Sequence, residues 1–285
     1  MKRRFEFTGA LTTETGLHIG SGQGDFTTDA CFVRTGAGQP YIPGSSFKGA
    51  LRSTVERMAA SLPGRLRSCL LDAGGPGDRN CPTIHQGWQA AFSRERERGL
   101  DEDGIAAWLY GGAEGRFAHV TLCDTCRLFG SPYVASKVAV HDLYLTTATH
   151  TEVRHGVGID RDTGTARARI KFDYETVPAQ VAFGFKLVVE DVDEREEVRH
   201  LGLLCCGLRE FEQGRVALGG NRSRGLGACR LQLTQITESE LGDAGAWLDR
   251  LMAAPTPRGM HVHTGPTVNR FIDARIQTLF ETIGV

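Results

Sequence analysis

Apolar and polar residues alternate at the start of the chain, at Phe5 and Phe7 and again at Leu17 and Ile19, with the period of two that a half-buried strand requires. Glycine and polar residues break the pattern over 20–28, and a short strand is predicted over 31–34. After Pro43-Gly44 the period lengthens. Phe47, Leu51, Val55 and Met58 form one stripe of a helix that Ser45 or Ser46 could cap. Alternation returns over 137–145, 182–190 and 229–236, and a second amphipathic helix over 194–213 carries Val198, Leu201, Cys205 and Leu208 on one face.

The order strand, helix, strand, strand, helix, strand predicts an α+β fold. Its core, over 1–61 and 137–237, would be an antiparallel sheet with helices on one face, the split βαβ arrangement of ferredoxin-like and RNA-recognition-motif-like folds. Three stretches depart from it. Residues 62–136 are rich in glycine and proline around short helical segments at 85–98 and 102–110, and they hold four cysteines, so they read as an insertion. A charged segment over 149–176 with the turn candidate Asp162-Thr163-Gly164 reads as a projecting hairpin, an arm that needs a partner. Residues 238–285 read as a helical C-terminal segment, with helices over 240–254 and 267–283.

The 40% hydrophobic and 24% charged fractions of the 285 residues are those of a soluble globular protein. No apolar run is long enough to span a bilayer and the first residues carry no signal-peptide core, which predicts a cytoplasmic protein without a membrane partner. A net charge of −1 excludes a protein that coats nucleic acid through overall charge, so any such site must be local.

Two local sites can be read. Lys48 and Arg52, four residues apart, share a helix face beside the Gly44-Ser45-Ser46 turn, where backbone N–H groups and the helix dipole favour a phosphate; an ordinary solvated helix face has the same composition. The loop Gly219-Gly220-Asn221-Arg222-Ser223-Arg224-Gly225-Leu226-Gly227 combines close backbone approach with two bidentate donors. It lacks the GK[ST] ending and following helix of a nucleotide-triphosphate loop, and Gly20-Ser21-Gly22-Gln23-Gly24 lacks the βαβ unit of a dinucleotide fingerprint.

Eight cysteines in a reducing compartment point to burial or metal rather than disulfides. Cys205 and Cys206 sit on an apolar stripe and read as core. Cys123 and Cys126 have the two-residue gap that lets both thiolates grip one tetrahedral metal, with Cys69 and Cys81 as the other ligands and His85 or His119 as substitutes, so a structural zinc is expected. A zinc deaminase is excluded because His150-Thr151-Glu152 follows the cysteine pair and Leu122 stands where proline belongs.

In one order the chain carries Leu17-His18-Ile19-Gly20, Ile42-Pro43-Gly44-Ser45-Ser46-Phe47-Lys48-Gly49-Ala50-Leu51-Arg52, Arg161-Asp162-Thr163-Gly164-Thr165-Ala166 and the Gly219–227 loop. From about residue 5 to 236 this series resembles the RAMP superfamily, specifically the repeated backbone subunit of type III CRISPR interference complexes. The resemblance implies a ribonucleoprotein complex of antiviral defence, with copies of the chain or related subunits stacked along a guide RNA beside other effector subunits. It implies a thumb hairpin over 161–171 that interrupts the guide–target duplex, and an aspartate before the second strand that is essential for cutting complementary target RNA. Asp29 matches that position, with Asp25 as the alternative.

RNA contacts are accordingly expected from His18, Ser45, Ser46, Lys48, Arg52, Arg161, Arg167, Arg169, Gly219, Gly220, Asn221, Arg222, Arg224 and Gly225. No histidine is obviously paired with Asp29 in the sequence. A carboxylate is a good hard ligand, so the expected chemistry is an endoribonuclease in which Mg²⁺ or Mn²⁺ on Asp29 assists attack by a 2′-hydroxyl. A non-cutting structural or capping subunit of the same complex, and a stand-alone zinc-containing enzyme, are the alternatives.

Overall fold

The computed structural model describes residues 2–22, 24, 28–62, 65–69, 99, 122–131, 134–240, 244–252 and 259–285. The helices expected over 85–98 and 102–110 lie outside the described residues, as do Asp25, Cys81, His85 and His119.

Strand β1 (Lys2–Thr13) is the centre of the sheet because it can be covered on both edges. It pairs antiparallel with β7 (Ala182–Asp193), Phe7 opposite Leu187, and with β8 (Cys229–Glu240), Phe7 opposite Ile236. With β3 (Val138–Val140) outside β7 and β9 (Met260–Thr264) outside β8, the strand order is β3-β7-β1-β8-β9. Helix α1 (Gly44–Ala60) connects β1 towards β3, and a long helix (Glu194–Glu212) connects β7 to β8. Each βαβ pair straddles a strand of the other, so the split βαβ order expected from the sequence is present.

The alternation of β1 sends Phe5, Phe7 and Leu11 to one face, all fully buried. There Phe47 of α1 stacks on Phe211 of the long helix at 4.4 Å and meets Phe185 of β7 at 5.0 Å. The C-terminal helix (Pro266–Ile283) adds Phe271, 6.1 Å from Phe5 and 6.4 Å from Phe7.

Several elements differ from the sequence expectation. Residues 238–285 are not helical throughout: besides the helices Ala244–Leu251 and Pro266–Ile283 they contain β9, which pairs with β8. Five residues carry too little periodicity to announce a strand, and β9 forms because the edge of β8 offers unpaired backbone groups. The segments at 17–20 and 31–34 make only single bridges, Leu17 to Val177, Gly20 to Phe32 and Arg34 to Pro40. The strand expected over 137–145 breaks into β3 and β4 (Leu143–Tyr144), the latter paired with β2 (Tyr41–Ile42). Neither Ser45 nor Ser46 caps α1. Pro43 holds the N-cap position, and Asp142 Oδ1 accepts the Gly44 N–H at 2.8 Å.

The hairpin forms as expected from β5 (Glu152–Ile159) and β6 (Ala166–Thr176), with His155 opposite Asp173 and Gly156 opposite Phe172. At its tip Asp160 Oδ1 accepts the N–H groups of Asp162 and Thr163 at 3.0 and 3.2 Å, which closes the turn locally.

Replacing Phe47 by alanine removes the ring that joins both helices to the sheet, and a loss of about 3–5 kcal/mol is expected. A urea unfolding curve would show it as a lower midpoint with unchanged slope.

Candidate functional site

The root of the hairpin gathers residues that are far apart in sequence. Segment 17–20 and segment 28–32 meet each other at the Gly20–Phe32 bridge, and Leu17 and Ala30 take their backbone partners from β6 and the residue after it. Leu17 and Val177 exchange both N–H···O bonds at 2.8 Å, the Ala30 N–H donates to Asp173 O at 3.1 Å, and the Glu175 N–H donates to Ala30 O at 3.0 Å. Asp29 is exposed, yet it is fixed, because its Oδ2 accepts the Asp173 N–H at 2.9 Å. The Asp173 carboxylate in turn accepts from His155 Nδ1 at 2.6 Å. Glu175 anchors the same face, accepting from the Phe32 N–H at 2.8 Å, Arg34 Nη2 at 2.9 Å and Thr151 Oγ1 at 3.2 Å.

Strand alternation turns Phe172 and Tyr174 to the opposite face. Their rings stack at 6.0 Å, Arg224 lies over Phe172 at 5.3 Å, and Tyr174 meets the edge of His18 at 5.6 Å. His18 is nearly buried, and its Nδ1 donates to the carbonyl of Glu175 at 2.6 Å. A carbonyl only accepts, so the proton sits on Nδ1.

The glycine-rich loop lies directly on this histidine. The Gly220 N–H donates to His18 O at 2.9 Å, and a Cβ on Gly219, whose φ is +74°, would come within 2.0 Å of that oxygen. Gly227, at φ +84°, is equally constrained by Leu218 O at 2.0 Å. Only glycine fits either place. Between them Asn221 takes a left-handed conformation and Arg222 to Arg224 make one tight turn, leaving Arg222, Arg224 and Gly225 exposed. The structure thus brings together His18, Asp29, Gly219, Gly220, Asn221, Arg222, Arg224 and Gly225 around the hairpin root. Arg161 and Arg167 are exposed further out on the hairpin; the Arg169 side chain lies outside the described ones.

Lys48 and Arg52 are placed differently from a free basic strip. Lys48 Nζ donates to Ser136 Oγ at 2.7 Å, and burial, then the neighbouring Arg52, lowers its pKa. Arg52 is half buried and bonds Glu56 Oε1 at 2.8 Å, Gly130 O at 3.0 Å and Cys126 Sγ at 3.4 Å. Burial opposes its charge, but these acceptors outweigh it and its pKa is raised. The positive end of α1 already holds the Asp142 carboxylate, while Ser45 is exposed and Ser46 half-buried.

Three of the expected zinc ligands meet. The sulfurs of Cys69, Cys123 and Cys126 are all buried and lie within 4.8 Å of one another. Zn–S bonds of about 2.3 Å at tetrahedral angles need sulfurs about 3.8 Å apart, so the cluster fits one tetrahedral ion. Cys123 caps the short helix Asp124–Phe129, its sulfur accepting the Cys126 N–H at 3.4 Å. The remaining buried cysteines differ. Burial pushes the thiols of Cys206 and Cys229 up to about 11 and 12 and raises that of Cys205 further, as expected of inert core thiols.

Sequence reasoning missed His155, Asp173, Glu175, Phe172 and Tyr174. The cross-strand register that pairs 155 with 173 was the needed signal, and the register shift between Val157 and Ile159 keeps it from following from the turn alone. Asp142 was missed because its role depends on β2 pairing with β4.

Among the described residues no helix is long and apolar enough to cross a membrane. A curated protein, the CRISPR system Cms endoribonuclease Csm3 of Methanothermobacter thermautotrophicus, is 24% identical over 281 aligned residues, covering 86% of this chain and 91% of that protein. The RAMP superfamily model matches residues 10–230, which include the end of β1, α1, the cysteine cluster, the hairpin and the glycine-rich loop. The chain therefore belongs to the RAMP superfamily.

Proposed function

We propose that this protein is a guide-RNA-binding backbone subunit of a type III CRISPR interference complex and cleaves complementary target RNA at Asp29. The observation that carries the reading is the fixation of an exposed carboxylate at the root of a projecting hairpin whose Phe172 carries Arg224 of the arginine- and glycine-rich loop. The likeness to a protein named as a CRISPR endoribonuclease supports it.

Binding of the guide rests on backbone phosphates, since one subunit must accept many spacer sequences. Arg222 and Arg224 are exposed donors for this, and the stacked Phe172 and Tyr174 offer a surface for a base. His18, Gly219 and Gly220 shape the groove, and Lys48 lies within the same motif series. Arg161 and Arg167 ride on the hairpin that would part guide from target and splay one target nucleotide. Its 2′-oxygen then attacks the adjacent phosphorus in line, the bond to the 5′-oxygen breaks, and a cyclic phosphate and a 5′-hydroxyl result.

Asp29 has one carboxylate oxygen engaged by the Asp173 N–H and is exposed, which suits Mg²⁺ or Mn²⁺, ions usually held by one or two carboxylates plus substrate phosphate. Such an ion would supply charge stabilisation at the scissile phosphate. Cys69, Cys123 and Cys126 would hold a zinc whose role is to pin the helix Asp124–Phe129 to residues 65–69 and, through Arg52, to α1. Further copies of the chain, other effector subunits, guide and target RNA are the partners on this reading.

Three outcomes are expected. In the complex assembled with co-expressed partners and guide, Asp29→Ala abolishes cutting of a matched target while target binding is retained, and excess EDTA has the same effect. Cutting by the variant at the wild-type rate would remove the site from Asp29. Arg222→Ala or Arg224→Ala weakens all guides alike and lowers the slope of log K against log salt by about 0.7–0.9; a loss confined to some guide sequences would oppose phosphate contact. Cys126→Ser lowers the zinc measured by elemental analysis of the purified protein, whereas Cys205→Ser leaves it unchanged.

A further inference from the structure

We infer that His155, oriented by Asp173, is the proton donor to the leaving 5′-oxygen in target cleavage. The inference rests on the reading of Asp29 as the cleavage site and deepens it. Three observations carry it. His155 and Asp173 are paired across the hairpin at its root, with Nδ1 2.6 Å from Oδ1. The backbone N–H of that same Asp173 holds Asp29 Oδ2 at 2.9 Å, so one residue positions both groups. The His155 side chain is 74% exposed, so its Nε2 edge is open to a ligand.

Histidine held by a carboxylate through one ring nitrogen presents the other in a defined direction, the arrangement that general acid–base catalysis requires. Asp173 is the positioning residue, since it acts through His155. The chemistry left unmet by Asp29 is at the leaving group. A carboxylate ligand helps neutralise the phosphate, but an alkoxide is a poor leaving group and needs a proton as it departs. In the step, the 2′-oxygen bonds to phosphorus and gives its proton to solvent. The P–O5′ bond breaks with its electron pair on O5′, and His155 Nε2 delivers a proton there. His155 is then reprotonated from solvent, so the reaction consumes no co-reactant.

Other features do not reach as far. The groove lined by Arg209, Glu212, Arg230, Leu231, Leu233 and Asn269 is open, and Glu212 there already pairs with Arg209 at 2.9 Å. Leu248, Leu251 and Met252 are exposed together, with nothing to say what covers them.

The test compares two target RNAs in the assembled complex, one natural and one with sulfur replacing the bridging 5′-oxygen at the cleaved linkage. A thiolate leaves without protonation because thiols are far stronger acids than alcohols. His155→Ala and Asp173→Asn are expected to slow the natural target about 10²–10⁴-fold, with target binding unchanged, and to cut the sulfur-containing target close to the wild-type rate. Equal slowing on both targets, or no slowing of the natural one, overturns the inference. Asp29→Ala, run in parallel, is expected to be slow on both. If it cuts both normally, the site itself is misplaced, whereas normal cutting by His155→Ala beside a dead Asp29→Ala overturns only the proton donor.

Discussion

Everything at the functional face depends on the backbone pairing between β6 and two segments that have no sheet of their own. Residues 17 and 30 reach across to residues 173–177 through four main-chain bonds, the Asp29 carboxylate takes one further backbone N–H, and each otherwise unpaired amide there would cost desolvation energy. Because strand side chains alternate, this pairing also sorts the chemistry. Asp173, Glu175 and the His155 opposite occupy one face, and Phe172, Tyr174 and Arg224 occupy the other. A slip of one residue in β6 would exchange the two sets and put an aromatic ring where the Asp173 carboxylate now meets His155.

The architecture separates stability from chemistry. Phe5, Phe7, Phe47 and Phe211 are buried among the sheet and its helices, where tight packing makes volume changes costly. At the hairpin root Leu17, Phe32 and Val177 belong to the core, whereas Asp29, His155, Asp173 and Glu175 are exposed or half-buried and are held by hydrogen bonds, so these four can be altered with little effect on the core. His18 is nearly buried, carries the glycine-rich loop on its backbone and faces Tyr174, joining that loop to the scaffold.

Arg52 shows how one residue type can serve another purpose than its spacing suggests. Its position four residues after Lys48 reads as one half of a phosphate-binding strip, and its atoms instead bond Glu56, Gly130 and Cys126. The helix that begins with the family motif is thereby fastened to the cysteine cluster, with a guanidinium beside thiolate-forming sulfur where burial would otherwise disfavour charge. Asp142 plays a comparable part at the start of that helix, taking the place of the serine cap.

The sequence by itself determined the order of strands and helices, the stripe of Phe47, Leu51 and Val55, the hairpin with its Asp-Thr-Gly turn, and the pairing of Cys123 with Cys126. Each is a local pattern whose period or spacing is dictated by backbone geometry. It also marked His18, Asp29 and the Gly219–227 loop through a series of motifs. Only the tertiary structure decided that β9 would complete the sheet, that Asp142 would cap α1, that Arg52 would turn to the cysteines and that His155 and Asp173 would stand beside Asp29. These are contacts between residues up to 144 positions apart. They depend on register and on which backbone groups remain unpaired after the sheet has formed, quantities that no short window of sequence contains.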